Sequence, residues 1–127
     1  MEFEVVFSGG ARVDAHMGNL VIETNQDGSA PAPFGLFLAS IGTCAGIYVL
    51  SFCKHRGLST EGVKVVQRVH SNPETRMVDR IDLDIVVPPD FPEKYHEALV
   101  RAADQCAVKK HLAQPPDFHV ATRVSAD

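Results

Sequence analysis

An α+β domain, with helices packed on antiparallel sheet, is the fold class that these 127 residues predict. Three observations carry the prediction. A long uncharged run sits between two hairpin patterns, a second helical stripe follows the later hairpin, and the remaining apolar residues alternate with a period of two. No repeat, linker or low-complexity segment interrupts the order, so a single domain over residues 1–127 is expected.

The first element is "EFEVVFSGG", in which Phe3, Val5 and Phe7 alternate with Glu2, Glu4 and Val6 before a glycine pair, as in a strand. "ARVDAHMGNLVIETNQDG" then reads as a hairpin turning at Gly18-Asn19. The punctuating "SAPAP" leads into "PFGLFLASIGTCAGIYVLSFCKHRG", a helix opened by Pro33 and closed by Gly57, with Lys54, His55 and Arg56 in its last turn. A second hairpin follows. Val63, Val65 and Val69 lie on one face of its first strand; Ile81, Leu83, Ile85 and Val87 oppose Asp82 and Asp84 on the second, and "NPET" makes the turn. Helical spacing returns with Tyr95, Leu99, Ala102 and Cys106 on one stripe, where Asp90 and Glu93 have the spacing of a capping box. After "QPP", the alternation of Phe118, Val120, Thr122 and Val124 predicts a last strand.

Composition excludes several functions. The chain is 45% hydrophobic and 22% charged with a net charge of −4, which leaves no basic footprint for nucleic acid. The six histidines are scattered, and no pair has the helical spacing of a metal-ligand couple, so no metal site is expected. The N-terminus carries acids at positions 2 and 4 and lacks the basic region of a secretory signal. Three cysteines do not make a disulfide scaffold. A cytoplasmic protein with reduced thiols is the expectation.

From Gly28 to Cys53 no side chain is charged, a length that could just cross a bilayer. Ser40, Gly42, Thr43, Gly46 and Ser51 dilute the run, and strand patterns flank it, so it is read as a buried helix and not a membrane span. A helix apolar all round needs cover all round. A chain this short offers too little of it, and a homodimer centred on this helix is therefore expected, with Gly42, Ala45 and Gly46 admitting a second backbone.

Cys44 lies in mid-helix, where a thiol is either a small packed hydrophobe or a reactive group shielded from bulk water. Cys53 is half a turn out of phase with it and reads as packing. Cys106 has two readings. A helix that breaks near Gln105 and restarts puts this thiol at a helix N-terminus close to Lys109 and Lys110, whereas an unbroken helix makes it the end of an apolar stripe.

"APAPFGLFLASIGTC" and the later "AADQCAVKKHL" together resemble the OsmC/Ohr family of thiol-dependent peroxidases, and the likeness extends over nearly the whole chain. The resemblance implies antiparallel sheets packed around two central helices, an intertwined homodimer, and active sites at its interface. It implies that Cys44 attacks an organic hydroperoxide and becomes a sulfenic acid, that Cys106 resolves it as a disulfide, and that a lipoyl- or thioredoxin-like dithiol reduces that disulfide. Arg12, after the glycine pair in "SGGAR", takes the place of the arginine that stabilises the thiolate; its other reading is an exposed strand arginine. Substrate would be a small hydrophobic hydroperoxide, with no cofactor, nucleic acid or membrane involved. Two positions depart from the family pattern: Phe34 or Gly35 stands where a glutamate usually orients the arginine, and Ala107 stands where proline commonly follows the second cysteine. Glu23 and Glu61 are candidate substitutes for that glutamate. The alternative function is a non-catalytic or weakly active protein on the same scaffold that binds a small hydrophobic ligand at the dimer interface.

Overall fold

The computed structural model describes residues 1–126. In chain order it holds β1 (Glu4–Gly9), β2 (Arg12–Met17), β3 (Leu20–Asn25), α1 (Pro33–His55), β4 (Lys64–Ser71), β5 (Val78–Val86), a 3-10 turn (Glu93–Tyr95), α2 (His96–Ala103) and α3 (Ala107–Ala113). The α+β order expected from the sequence is therefore present, as a three-stranded sheet β1-β2-β3, a two-stranded sheet β4-β5 and three helices. Two compact units divide the chain. One comprises residues 1–43 and 65–84, the other residues 44–64 and 85 onward, and α1 contributes to both.

In the first unit, β2 pairs antiparallel with both β1 and β3. The register sets Phe7 opposite Val13 and Val13 opposite Thr24, with Val5, Ala15 and Ile22 aligned one pair further along. Directly opposed side chains share a face, so this face is apolar. Much of it is uncovered: Val5 is 59% exposed and Phe7 86%. The other face carries Arg12, Asp14 and Glu23. Gly18 takes φ +58 in the β2–β3 turn, a left-handed conformation that suits glycine. In the later hairpin, Asn72 Oδ1 accepts the backbone N–H groups of Glu74 and Thr75, which makes the turn the sequence announced. Gln67 of β4 donates from Nε2 to the carbonyl of Leu38 in α1 at 2.9 Å.

The second unit holds the main core: Val49, Phe52, Cys53, Phe91 and Leu99, flanked by Leu58, Val63, Ile85, Val87, Tyr95 and Ala102. Phe52 meets Tyr95 edge-on at 5.7 Å, and the Arg56 guanidinium lies 3.7 Å over the same Phe52 ring. α1 closes as its sequence indicates. Gly57 is left-handed at φ +64, its N–H reaches Lys54 O, and the N–H of Leu58 reaches Cys53 O, which is a Schellman motif.

Three expectations need correction. The capping box does not form: Pro92 caps the 3-10 turn without a side-chain bond, and Tyr95 caps α2. The buried Phe91, whose N–H bonds to Pro88 O, holds the approach in a turn before helix begins. The last strand is also absent, since residues 115–126 join no sheet and Phe118 and Val120 are 84% and 98% exposed. An alternating segment becomes a strand only where an edge accepts its backbone groups, and none does so within the described residues. Within a single copy α1 is covered on one stripe, through Ile41, Ala45, Val49, Phe52 and Cys53, while Phe34, Phe37 and Ile47 are exposed. Finally, the small residues of α1 differ in use. Ala45 is buried within the chain, and Gln67 Oε1 lies where a Cβ on Gly42 would stand; of the three, Gly46 alone has open space beside it.

Candidate functional site

All three cysteines are thiols. α1 fixes Cys44 half-buried in its middle, and Cys53 falls in the core of the second unit, fully buried. Burial pushes the Cys53 thiol above its ordinary pKa, as desolvation does to any group that must ionise. It is packing, as its phase on the helix indicates.

The position of Cys106 answers the question the sequence left open. α2 ends at Ala103, Asp104 and Gln105 close the turn, and α3 restarts at Ala107. Cys106 is the N-cap of α3, with φ −48 and ψ 123 outside the helical region, and only 2% of it is exposed. That break turns its side chain toward α1. The Cys44 and Cys106 thiols are close enough to shift each other's ionisation, although they are far apart in sequence.

The electrostatics of the pair are asymmetric. The start of α3 and the Cys106 thiol both act on the Cys44 sulfur. The Cys44 thiol is held below its ordinary pKa, first by the Val108 N–H and then by the Cys106 thiol, against the opposing effect of burial. Cys106 moves the other way: burial raises it, and donating to Cys44 favours keeping its proton, which outweighs the lowering by the N–H groups of Lys109 and Val108. The arrangement is a thiolate-prone sulfur beside a protonated one. A disulfide can join them, because oxidation of one leaves the other adjacent.

The cations proposed from the sequence act differently. Lys109 Nζ pairs with Asp104 at 2.7 Å and braces the α2–α3 break. Thus the start of α3 lowers Cys44, on another helix, whereas its lowering of Cys106 is outweighed by burial. What the sequence missed was this crossed relation; the signal available was the polar "ADQ" preceding Cys106, which marks the break.

Arg12 belongs to the first unit. Its Nε donates to both carboxylate oxygens of Asp14, at 3.1 and 3.0 Å, and Nη2 donates to Glu23 Oε1 at 2.8 Å. Asp14, buried, also accepts from Ser8 Oγ at 2.8 Å. The guanidinium, with the Ser8 hydroxyl, draws the Asp14 carboxyl below the usual range against its burial, and the two carboxylates raise Arg12. Of the two glutamates named as substitutes, Glu23 is the one that meets Arg12. Phe34 stacks on Phe37 at 5.6 Å in the first turn of α1, which has no acid. Among the described residues no group of three His, Cys, Asp or Glu side chains could hold a metal.

Comparison with known proteins gives this arrangement a context. Residues 26–121 match the family described as OsmC-like protein. Among solved structures, a hypothetical protein from Aquifex aeolicus VF5 superposes with a TM-score of 0.72 at 20% identity, covering 90% of this chain and 87% of that one. An OsmC like protein from Mycoplasma pneumoniae gives 0.69 at 11% identity with coverages of 90% and 87%. The organic hydroperoxide resistance protein OhrB of Bacillus subtilis gives 0.51 at 17% identity with coverages of 87% and 90%. These identities speak for a common fold. No curated protein matches the sequence. With its match spanning both cysteine segments, the chain belongs to the OsmC-like protein family.

Proposed function

We propose that the protein is a thiol-dependent peroxidase that reduces organic hydroperoxides. The observation that carries this reading is the facing pair of thiols, with Cys44 inclined to ionise and Cys106 inclined to stay protonated. The Cys44 thiolate attacks one peroxide oxygen. The O–O bond breaks, the alkoxide leaves with a proton as the alcohol, and Cys44 becomes a sulfenic acid. Cys106 then attacks that sulfur, an S–S bond forms and water departs. A dithiol, of the lipoyl or thioredoxin kind, supplies the two electrons and two protons that restore both thiols. In the same reading Arg12, braced by Asp14 and Glu23, is the cation that completes the thiolate's surroundings, with Glu23 taking the part that the family's glutamate plays elsewhere. No cofactor enters the cycle.

The working form in this reading is a cytoplasmic homodimer. The exposed apolar residues of α1, the bare face of the first sheet and the strand-patterned C-terminal segment support it, because a second copy would cover them. An apolar helix around Cys44 favours fatty or aromatic hydroperoxides over hydrogen peroxide. Phe34 and Phe37 favour the alternative, a binder of a small hydrophobic ligand, since they put aromatic surface where the family keeps an acid.

One experiment separates the two. Reduced protein is mixed with cumene hydroperoxide and a dithiol, and the measurement is repeated with Cys44→Ser and Cys106→Ser. Turnover by the parent that disappears in the Cys44 variant is expected. An inert parent from which no Cys44 sulfenic acid can be trapped overturns the peroxidase and leaves the binder.

A further inference from the structure

We propose that the reducing dithiol attacks the sulfur of Cys44 and not that of Cys106, so that the thiol which meets the peroxide is also the one that takes the reductant. The inference rests on the Cys44–Cys106 disulfide of the proposed cycle and extends it to how that disulfide is opened.

Burial decides between the two sulfurs. Thiol–disulfide exchange is an attack by a thiolate on one sulfur of the pair, and it needs open approach to the sulfur that is struck. Cys106 is 2% exposed. Asp104, Gln105 and Ala107 around it are exposed, so the chain runs along the surface while this one side chain turns inward. The turn is fixed on both sides. The N–H of Cys106 bonds to Ala103 O at 3.3 Å, its carbonyl accepts from Lys110 N at 3.1 Å, and Lys109 Nζ pairs with Asp104 at 2.7 Å across it. A reductant reaches that sulfur only by opening the break between α2 and α3. Cys44 is half-buried, in a continuous helix. It is also the sulfur that the peroxide must reach, so the approach it needs is one the cycle already requires. A second copy adds cover to this chain and takes none away, which leaves Cys106 closed in a dimer too.

The exchange runs in two steps. A thiolate of the dithiol bonds to Cys44 Sγ, the S–S bond breaks, and its electron pair passes to Cys106, which takes up the proton that the first thiol has lost. The second thiol gives its proton to water, attacks the reductant's own sulfur in the mixed disulfide, and expels Cys44 as thiolate. Leaving-group quality opposes the first step, since Cys106, raised by burial, leaves less readily than Cys44 would, and it favours the second. Access outweighs it, because no thiolate strikes a sulfur it cannot approach.

The disulfide is made in the full-length protein with diamide, which takes up the two electrons and two protons and needs no peroxide. A thioredoxin that keeps only its attacking cysteine is added, and the mixture is quenched in acid at successive times. Free thiols are then blocked, and peptide mass spectrometry finds which cysteine carries the probe. At the earliest times it should lie on Cys44 over Cys106 by about tenfold or more, the factor that even a modest cost of local opening imposes on the buried sulfur. Capture on Cys106, or on both alike, overturns the proposal and leaves the peroxidase standing. Where neither cysteine captures the protein probe, 2-mercaptoethanol takes its place with the same outcomes, and a disulfide that neither probe opens overturns the proposal. So does a protein that diamide fails to convert, which also removes Cys106 from the resolving role. A protein whose disulfide opens at Cys44 but which never turns over hydroperoxide rejects the peroxidase and leaves this assignment standing.

Discussion

Replacing Cys106 by alanine and, separately, by serine divides its two tasks. In the structure its thiol favours ionisation of the Cys44 sulfur, and in the proposed cycle it is also the group that resolves a sulfenic acid there. Alanine removes both. A hydrogen bond to a charged group contributes about 1.5–3 kcal/mol, and one pKa unit corresponds to about 1.4 kcal/mol, so Cys106→Ala should raise the Cys44 midpoint by about one to two units. At pH values below the parent's midpoint the thiolate fraction, and the rate of the first peroxide attack, should fall by about tenfold or more. Serine retains an O–H donor but forms no disulfide. Its midpoint should stay near the parent's, its first attack should remain fast, and a sulfenic acid should accumulate at one equivalent of hydroperoxide consumed. The assay is iodoacetamide alkylation against pH, together with trapping of the sulfenic acid after a single addition of cumene hydroperoxide. Cys53 does not confuse the readout, being fully buried and raised above its ordinary pKa. Equal midpoints for the alanine and parent proteins would show that the thiol–thiolate bond does not act, and a serine variant that forms a disulfide with Cys53 would show that the sulfur pairing has been misassigned.

Three further outcomes follow from the same contacts. The folded-state pKa of Cys44 lies below its unfolded value, so ionisation stabilises the fold as pH rises through the folded pKa and the gain is lost as pH falls back through it. Peroxide attack should accordingly increase with pH and level off once Cys44 is ionised, which stopped-flow rates between about pH 5 and 9 would follow, a range bracketing the free thiol's pKa. Asp14 is also depressed, so its contribution is present above the unfolded carboxylate pKa and disappears as pH falls through the folded one; Asp14→Asn should flatten the acid limb of a pH-dependent melting curve. Leu99→Ala removes a side chain that is 2% exposed from the core that positions α2, at a cost of about 3 kcal/mol. With about 2.1 cal/mol/K of unfolding entropy per residue over 127 residues, the melting temperature should drop by about 10 °C in calorimetry.

How much of this was legible beforehand depends on the range of the interaction. Both hairpins, the span of α1 and its glycine stop follow from local rules. Alternation fixes which residues share a strand face, Asn72 and Gly18 make their turns with their own neighbours, and the Gly57 closure involves residues no more than five positions apart. The capping box failed for the opposite reason. Asp90 and Glu93 had the spacing, but burial of Phe91 and the turn through Pro88 set the backbone before a cap could form. The last strand failed because a strand is a relation between two segments, and the Phe118–Val124 pattern names only one of them.

The amino-acid order by itself decided that two separated thiols stand on helical segments, and that a polar stretch lies just before the second. Only the tertiary structure decided what each thiol feels. α2 stops at Ala103 and α3 begins at Ala107, and that break brings the start of α3 to bear on Cys44 while Cys106 is shut from water. Ionisation energies depend on donors and solvent within a few ångström of the atom, and no sequence pattern encodes which distant backbone N–H groups will arrive there.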